Sequence, residues 1–452
     1  MEQGVKIRNE IVEGVIWKQM LFFFLPLWLT SFFQQLYNTA DAVIVGQALG
    51  KLELSAVGGA SGTLINIFLG FFLGLSTGVT VIISQHYGAE NFQEVNQAVH
   101  TAIALAVIFG VFVTLVGVFG AGPALKLMGT PDEIFPYALT FLRIIFWGMV
   151  ANMVYNIGAG ILRAIGDTKR PLYFLIISSI INVLLVLLLL TVFHMGVEGV
   201  ALATVIAQMI CAALIIATLI RTRECCHLRL RDVRLHKEVM LRILKIGLPA
   251  GFQSLMYTSA NIIVQTTMNS FGTNTVAAWA AYSKIDVFYW ITVNSFGASV
   301  TTFTGQNYGA GRYSRISQGT RICLGIAMLV SVFLSCFIYF GACPILTLFT
   351  DDRVIADTGL VIVHFLAPVY VVYVIIEVLT GTLRGIGNTF IPMLVSVFGI
   401  CILRITWLLV AVPVRPDLRT VLFGYPLTWS VTAAAIVIYY WNYIHRLKRK
   451  WK

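Results

Sequence analysis

The chain has 452 residues, of which 58% are hydrophobic and 11% charged, with a mean hydropathy of +0.86. A soluble domain carries roughly 25% charged residues, so this composition excludes an ordinary aqueous globule. The net charge of +11 does not point to nucleic acid either, because the basic residues lie in short segments between apolar runs, as the positive-inside rule expects.

Twelve membrane spans are predicted, each long enough for the roughly 20 residues that a bilayer needs. Before them, Met1–Lys18 is polar and mixed in charge. The apolar stretch that follows is too long for a cleavable signal peptide and lacks a small-residue cleavage site, so the first span is expected to act as its own insertion signal. Span one, 17–46, holds Pro26, Tyr37 and Asp41. Span two, 53–85, contains Gly70 and Gly74, which suit close helix packing better than a phosphate loop. Span three covers 94–120. Span four, 132–161, carries Arg143 and Asn156. Spans five (171–194) and six (198–220) carry Asn182 and Thr204. Residues 221–245 then form the longest polar stretch, a basic linker near the middle of the chain, suited to contact with anionic lipid headgroups. Cys225 and Cys226 lie in it, and the seven cysteines show no metal or disulfide spacing.

Span seven, 246–270, contains Pro249, Gln253 and Tyr257, and span eight, 276–305, contains Lys284 and Asp286. Span nine covers 317–341. Glu377 lies on span ten (354–382) and Arg404 on span eleven (391–413). Span twelve, 420–444, precedes a basic tail. With the N-terminus in the cytoplasm, 23 Lys and Arg fall on the cytoplasmic side, five on the outer side and three within spans. That asymmetry predicts a multi-pass protein of the cell membrane with both termini inside.

The chain repeats itself. Gln85-His86-Tyr87-Gly88-Ala89 matches Gln306-Asn307-Tyr308-Gly309-Ala310, and Leu162-Arg163-Ala164-Ile165-Gly166-Asp167-Thr168 matches Leu383-Arg384-Gly385-Ile386-Gly387-Asn388-Thr389. Pro171 matches Pro392, and all three matches share an offset of 221 residues. Leu25-Pro26 pairs with Leu248-Pro249 at an offset of 223. Such self-similarity predicts an all-α membrane protein of twelve helices in two six-helix halves, residues 1–220 and 246–452. Because six is even, the halves are parallel repeats around a central cavity, an arrangement suited to alternating access. The glycine-bearing motifs themselves read as turns at helix ends.

An ionisable residue inside a span is costly and marks a functional candidate. Asp41 leads, with no basic residue within a turn. A carboxylate there must find a proton, a metal ion or amide partners. Tyr37, four residues earlier, shares its helix face. In the second half, Glu377 lies one repeat offset from Asn156. Glu377, Asp286, Lys284 and Arg404 read as an internal ion-pair network, since buried charges are usually paired. The sharper alternative is that Glu377 or Asp286 binds a cationic substrate.

The duplicated motifs, at these positions and over essentially the whole length, resemble those of the multidrug and toxic compound extrusion (MATE) transporters of prokaryotes. The resemblance implies a coupling aspartate on the first span, with a tyrosine one turn earlier, asparagines on spans four and five and a threonine on span six. Position by position these are Asp41, Tyr37, Asn156, Asn182 and Thr204. Relatives often place a second aspartate four residues after the span-five asparagine, where this chain has Val186, and a carboxylate on span seven, where Gly251 to Gln265 has none. One carboxyl suffices for a proton, whereas a sodium cage loses more by its absence, so Asp41 is expected to couple to protons at least as readily as to sodium.

The resulting expectation is a cation-coupled antiporter, driven by proton or sodium, that exports organic, mainly cationic, drugs. It is expected to act as a monomer in contact with membrane lipid, with no nucleic-acid partner, no cofactor and no metal beyond transient sodium at Asp41. The alternative is a flippase for a lipid-linked precursor. That would call for several basic residues to hold a diphosphate, and only Arg143, Lys284 and Arg404 are available. A membrane enzyme would need clustered polar catalytic residues near one interface, which the short loops lack.

Overall fold

A computed structural model of the chain describes residues 10–222, 225–347, 350 and 352–450. Most of the N-terminal polar segment, Arg223 and Glu224 of the linker, and the last two residues of the basic tail lie outside these. In a bilayer the backbone must satisfy its own polar groups, so long apolar runs become helices. Among the described residues, a short helix at Glu10–Glu13 is followed by twelve helical rods. They are α1 (Ile16–Ala48), α2 (Lys51–Gly88), α3 (Phe92–Leu127), α4 (Phe135–Ala164), α5 (Lys169–Thr191) and α6 (Val197–Arg221), then α7 (Lys237–Asn269), α8 (Thr273–Gly309), α9 (Tyr313–Thr347), α10 (Arg353–Ile386), α11 (Phe390–Val414) and α12 (Leu418–Lys450).

Ten of the rods are long and apolar enough to cross a membrane. α4 is bent by 49° between Phe135–Trp147 and Met149–Ala164 and makes an eleventh span if its two parts count as one. α8 is 37 residues long but carries Lys284, Asp286 and a row of hydroxyl residues, which lowers its hydropathy. The polar stretch after α6 is shorter than the sequence predicts. α7 begins at Lys237, because Glu238, Arg242 and Lys245 face outward while Val239, Ile243 and Ile246 are buried at helical spacing.

The chain divides into two compact units. One comprises Leu25–Gly251, and the other combines the described residues up to Phe24 with Phe252–Lys452. The chain therefore passes from unit to unit inside α1, beside Pro26, and inside α7, beside Pro249. These are the two helices that carry the repeated Leu-Pro pair.

The duplication is visible in packing. In the first unit α4 packs against α2, α3 and α6, and α5 against α6; in the second, α10 packs against α8, α9 and α12, and α11 against α12. Equivalent hydrogen bonds hold equivalent helices. Thr80 donates to the Gly160 carbonyl at 3.2 Å, and Thr301, one offset later, donates to the Gly381 carbonyl at 3.0 Å. Both sequence motifs end helices. The Gly166 and Gly387 amides donate to the Arg163 and Arg384 carbonyls at 3.0 and 2.8 Å. Their φ angles of +101° and +96° lie in the left-handed region that glycine adopts without a Cβ clash. After each Tyr-Gly-Ala the turn is likewise repeated, with Glu90 in one copy and Gly311 in the other at positive φ.

The glycines of α2 do pack helices. A Cβ on Gly78 would stand 2.5 Å from the Ile243 carbonyl oxygen and 2.9 Å from the Gly247 nitrogen, and a Cβ on Gly74 would strike the Gly251 backbone. Two small-xxx-small faces, Gly74/Gly78 on α2 and Gly247/Gly251 on α7, thus bring backbone against backbone. Nearby, the polar connection is docked on α3. Asn96 donates to the His227 carbonyl at 2.9 Å, the Arg229 amide donates to His100 Nε2 at 3.1 Å, and His236 Nδ1 lies 3.1 Å from the Thr101 hydroxyl.

Candidate functional site

Asp41 is buried, at 9% exposure, on the α1 segment that belongs to the first unit, and its Oδ1 has no hydrogen-bond partner among the described residues. Pro26 lies four turns earlier in the same helix, where the missing amide proton releases one backbone bond. One turn before Asp41, Tyr37 lies within electrostatic reach of the carboxylate and bonds the Thr204 hydroxyl of α6. Thr204 also accepts from the Asn182 amide of α5 at 3.5 Å and donates to the Val200 carbonyl at 2.9 Å. Asn182 is fully buried and its Oδ1, like that of Asp41, has no partner among the described residues.

Tyr37, Thr204 and Asn182 therefore form one hydrogen-bonded chain, with Asp41 beside its tyrosine end. Asn156 is held differently. Its amide donates to the side-chain and main-chain oxygens of Asn152 at 2.8 and 2.9 Å, and its own carbonyl accepts from Ser76 of α2 at 2.9 Å. Asn152 escaped the sequence analysis. Its signal was present, since it lies four residues before Asn156 on the same helix face. Val186, where the family resemblance implied a second aspartate, is fully buried in the apolar core.

The second unit answers the expectation of one ion-pair network with three separate arrangements. Glu377, 7% exposed, pairs with Arg384 of its own helix at 3.5 Å. The carboxylate fills the space in front of Gly297, where any Cβ would collide with it. Gly297 and Glu377 stand one offset from Ser76 and Asn156, so a serine that donates to a main-chain carbonyl in one unit is replaced in the other by a glycine that leaves room for a carboxylate. Beside it, Gln253 donates to the Tyr257 hydroxyl at 3.0 Å, and Tyr257 also bonds Tyr373 and Ser396.

Asp286 is held by neutral donors. Tyr370 donates to Oδ1 at 2.6 Å and Trp290 to Oδ2 at 2.7 Å. Arg404 is buried, lies 4.0 Å over the Tyr425 ring and donates to Thr428 at 3.2 Å. Lys284 is exposed. Among the described residues neither base pairs with Glu377 or Asp286. The partners differ from that expectation: Arg384 from the helix-end motif pairs with Glu377, and Arg404 is turned onto the Tyr425 ring and Thr428.

A family model matches this chain in two blocks. The model described as MatE matches residues 26–188 and 249–408. The chain belongs to the MatE family of membrane transporters. The first matched block lies within the first unit, and the second lies almost wholly within the other. Among curated proteins, the Bacillus subtilis protein named "Probable multidrug resistance protein YoeA" is 28% identical over 447 residues, covering 94% of this chain and 93% of the relative. A Bacillus cereus protein named "Probable multidrug resistance protein NorM" is 26% identical over 397 residues, with 84% and 85% covered. Among solved structures, an outward-facing multidrug resistance MATE transporter of the MOP superfamily superposes with a TM-score of 0.91 at 22% identity, covering 98% of both chains. A MOP superfamily transporter from Pyrococcus furiosus, described as having a binding pocket of reversed polarity, gives 0.91 at 22% identity. The MatE chain described here is thus a multi-pass membrane protein with the MATE fold.

Proposed function

We propose that this protein is a cation-coupled antiporter that exports organic, mainly cationic, toxic compounds across the cell membrane, with both termini in the cytoplasm. The multidrug resistance names of its relatives support the export of drugs. The observation that carries the coupling assignment is the pair of buried oxygens, Asp41 Oδ1 and Asn182 Oδ1, that have no partner among the described residues. A bilayer tolerates such oxygens when they serve an ion or a proton.

In this mechanism a proton or sodium ion binds at Asp41 with the Tyr37–Thr204–Asn182 chain and the Asn152/Asn156 pair as neighbours. Neutralising Asp41 changes the packing of α1, whose Pro26 adjoins the crossing between units, and so links ion binding to alternating access. Val186 supplies no second carboxylate, which favours the proton. The substrate enters from the cytoplasmic side and leaves outside as the coupling ion is taken up. The flippase alternative lacks a basic cluster: Arg404 is engaged by Tyr425 and Thr428, while Arg143 and Lys284 are both exposed.

The test is efflux of a fluorescent organic cation from vesicles with proton and sodium gradients imposed separately. A proton gradient alone drives efflux, and Asp41→Asn abolishes it at equal expression. Response to sodium only, with pH clamped, would reject proton coupling, and wild-type efflux by Asp41→Asn would reject the site.

A further inference from the structure

Just ahead of α1, a short segment is held to the second unit by its carbonyls. Glu10–Glu13 forms one helical turn and Gly14 ends it, its amide donating to the Glu10 carbonyl at 2.7 Å. Ile11, Val12 and Ile16 are buried. The last carbonyls of a helix have no partner within it, and here an arginine supplies one. Arg315, in the first turn of α9, donates to the Gly14 carbonyl at 2.8 Å and to the Ile11 carbonyl at 3.3 Å. Asn307, fully buried on α8, orients it. The Asn307 Oδ1 accepts from Arg315 Nε at 3.1 Å, and the Asn307 amide donates to the Ile11 carbonyl at 3.5 Å and to the Phe303 carbonyl at 2.8 Å.

This clamp is not inherited from the repeat. One offset earlier, Asn307 and Arg315 correspond to His86 and Glu94, which lie 3.8 Å from each other. An ionised carboxylate only accepts, so Glu94 cannot hold a carbonyl. The first unit docks the connection ahead of α7 through Asn96, His100 and Thr101 instead.

What the clamp holds is one end of α1. That helix belongs to the second unit as far as Phe24 and to the first from Leu25, and Asp41 lies beyond the crossing. Its opening turns rest on apolar contact: Met20 and Phe23 are buried, and Phe24 stacks on Phe296 at 4.0 Å. Apolar contact is non-directional, so it keeps these rings together without fixing the helix along its axis. The bonds from Arg315 and Asn307 to the Ile11 and Gly14 carbonyls have direction and do fix it. A change of bend at Pro26, where one backbone bond is missing, shifts the Asp41 end only when the opposite end stays in place.

We infer that Arg315, oriented by Asn307, is a positioning residue for transport: it clamps the segment before α1 to the second unit, so that ion binding at Asp41 bends α1 instead of letting the whole helix slide. The inference rests on the coupling reading and adds the fixed point that this reading needs.

The experiment uses full-length protein and follows two quantities: proton-driven efflux of a fluorescent organic cation from vesicles, and amide exchange of residues 10–20. In Arg315→Ala the exchange quickens and the maximal efflux rate falls at least fivefold, while the half-saturating substrate concentration stays within twofold. Arg315→Lys, which keeps a donor, recovers at least half of the rate. The exposed Arg312→Ala, just before α9, changes neither quantity. Quickened exchange with an unchanged maximal rate overturns the inference, and so does unchanged exchange in Arg315→Ala. A second arm leaves every clamp residue in place and inserts Gly-Gly-Ser between Gly14 and Val15. Residues 10–14 then stay protected, yet the maximal rate falls as in Arg315→Ala. Unimpaired efflux by the insertion protein overturns the inference even where Arg315→Ala yields no folded protein. If Asp41→Asn abolishes efflux and these results fail, the clamp alone is misassigned; if Asp41→Asn exports like the unsubstituted protein, the coupling reading falls and takes the clamp's role with it.

Discussion

The Arg384 guanidinium lies 3.5 Å from the Glu377 carboxylate, whereas its repeat mate Arg163 donates to the Ser76 hydroxyl at 3.4 Å. Removing one partner of a buried pair leaves an uncompensated charge and costs about 3 kcal/mol. Glu377→Gln is therefore expected to lower the thermal unfolding midpoint in detergent markedly. Gly297→Ser combined with Glu377→Asn installs the residues that the first unit has at these positions and removes the carboxylate that a Cβ on Gly297 would strike, and should recover part of that loss. An unchanged midpoint in Glu377→Gln would show that the pair does not support the fold.

Thr204 joins Tyr37 to Asn182. Thr204→Val keeps the side-chain shape and deletes the hydroxyl, leaving two buried polar groups short of a partner at roughly 1–3 kcal/mol. Proton-driven efflux is expected to fall at least fivefold, and Thr204→Ser should retain it. The check is initial efflux rate in vesicles at equal protein density; equal rates for the valine and serine variants would sink the idea.

The glycine face between α2 and α7 leaves no room for side chains. Overpacking a close contact costs about 1–3 kcal/mol, so Gly78→Leu and Gly247→Leu should each reduce the yield of monodisperse protein and its unfolding midpoint. Gly120→Leu is the contrast, because a Cβ there meets nothing within 4 Å. If all three behave alike, close backbone packing is not the cause.

His236 docks the polar connection onto α3. Arg234 Nε donates to its Nε2 at 3.2 Å, and an arginine cannot accept, so this ring nitrogen must stay unprotonated. Burial first, then the neighbouring Arg234 and His100 charges, hold the His236 pKa below its ordinary 6.5, with Glu94 opposing. A histidine whose folded pKa is depressed binds more protons when released. Its docking contribution is thus complete above about 6.5, the ordinary histidine value, and is lost as pH falls below it. Amide exchange of residues 225–236, corrected for intrinsic rates, should quicken between pH 7 and 5. His236→Ala should exchange fast throughout; a His236→Ala protein as protected as the parent at pH 7 would rule out the latch.

Much of this was legible from the residues alone. Apolar runs announce spans because only helices satisfy the backbone in lipid. The 221-residue offset announces two halves, and Gly166 and Gly387 end helices in both because a left-handed turn suits glycine. Asp41 stands out as an acid with no nearby base, and the Tyr37 spacing follows from helix geometry.

Other features were decided only in three dimensions. Side-chain partners depend on which helices become neighbours, and hydropathy does not encode that. Four charges in neighbouring spans look like one network on paper. In the fold, Gly297 makes space for Glu377, Arg384 reaches it, Arg404 is held by Tyr425 and Thr428, and Asp286 by Tyr370 and Trp290. Nor could the sequence tell that Asn152 holds Asn156, or that the chain changes units inside α1 and α7 rather than in its loops. The sequence by itself determined the membrane class, the duplication and the lone acid of the first half, because these follow from composition and spacing. The tertiary structure decided which buried acid meets a base and which is held by neutral donors, because side-chain partners are set by distances of a few ångströms between helices that only the fold brings together.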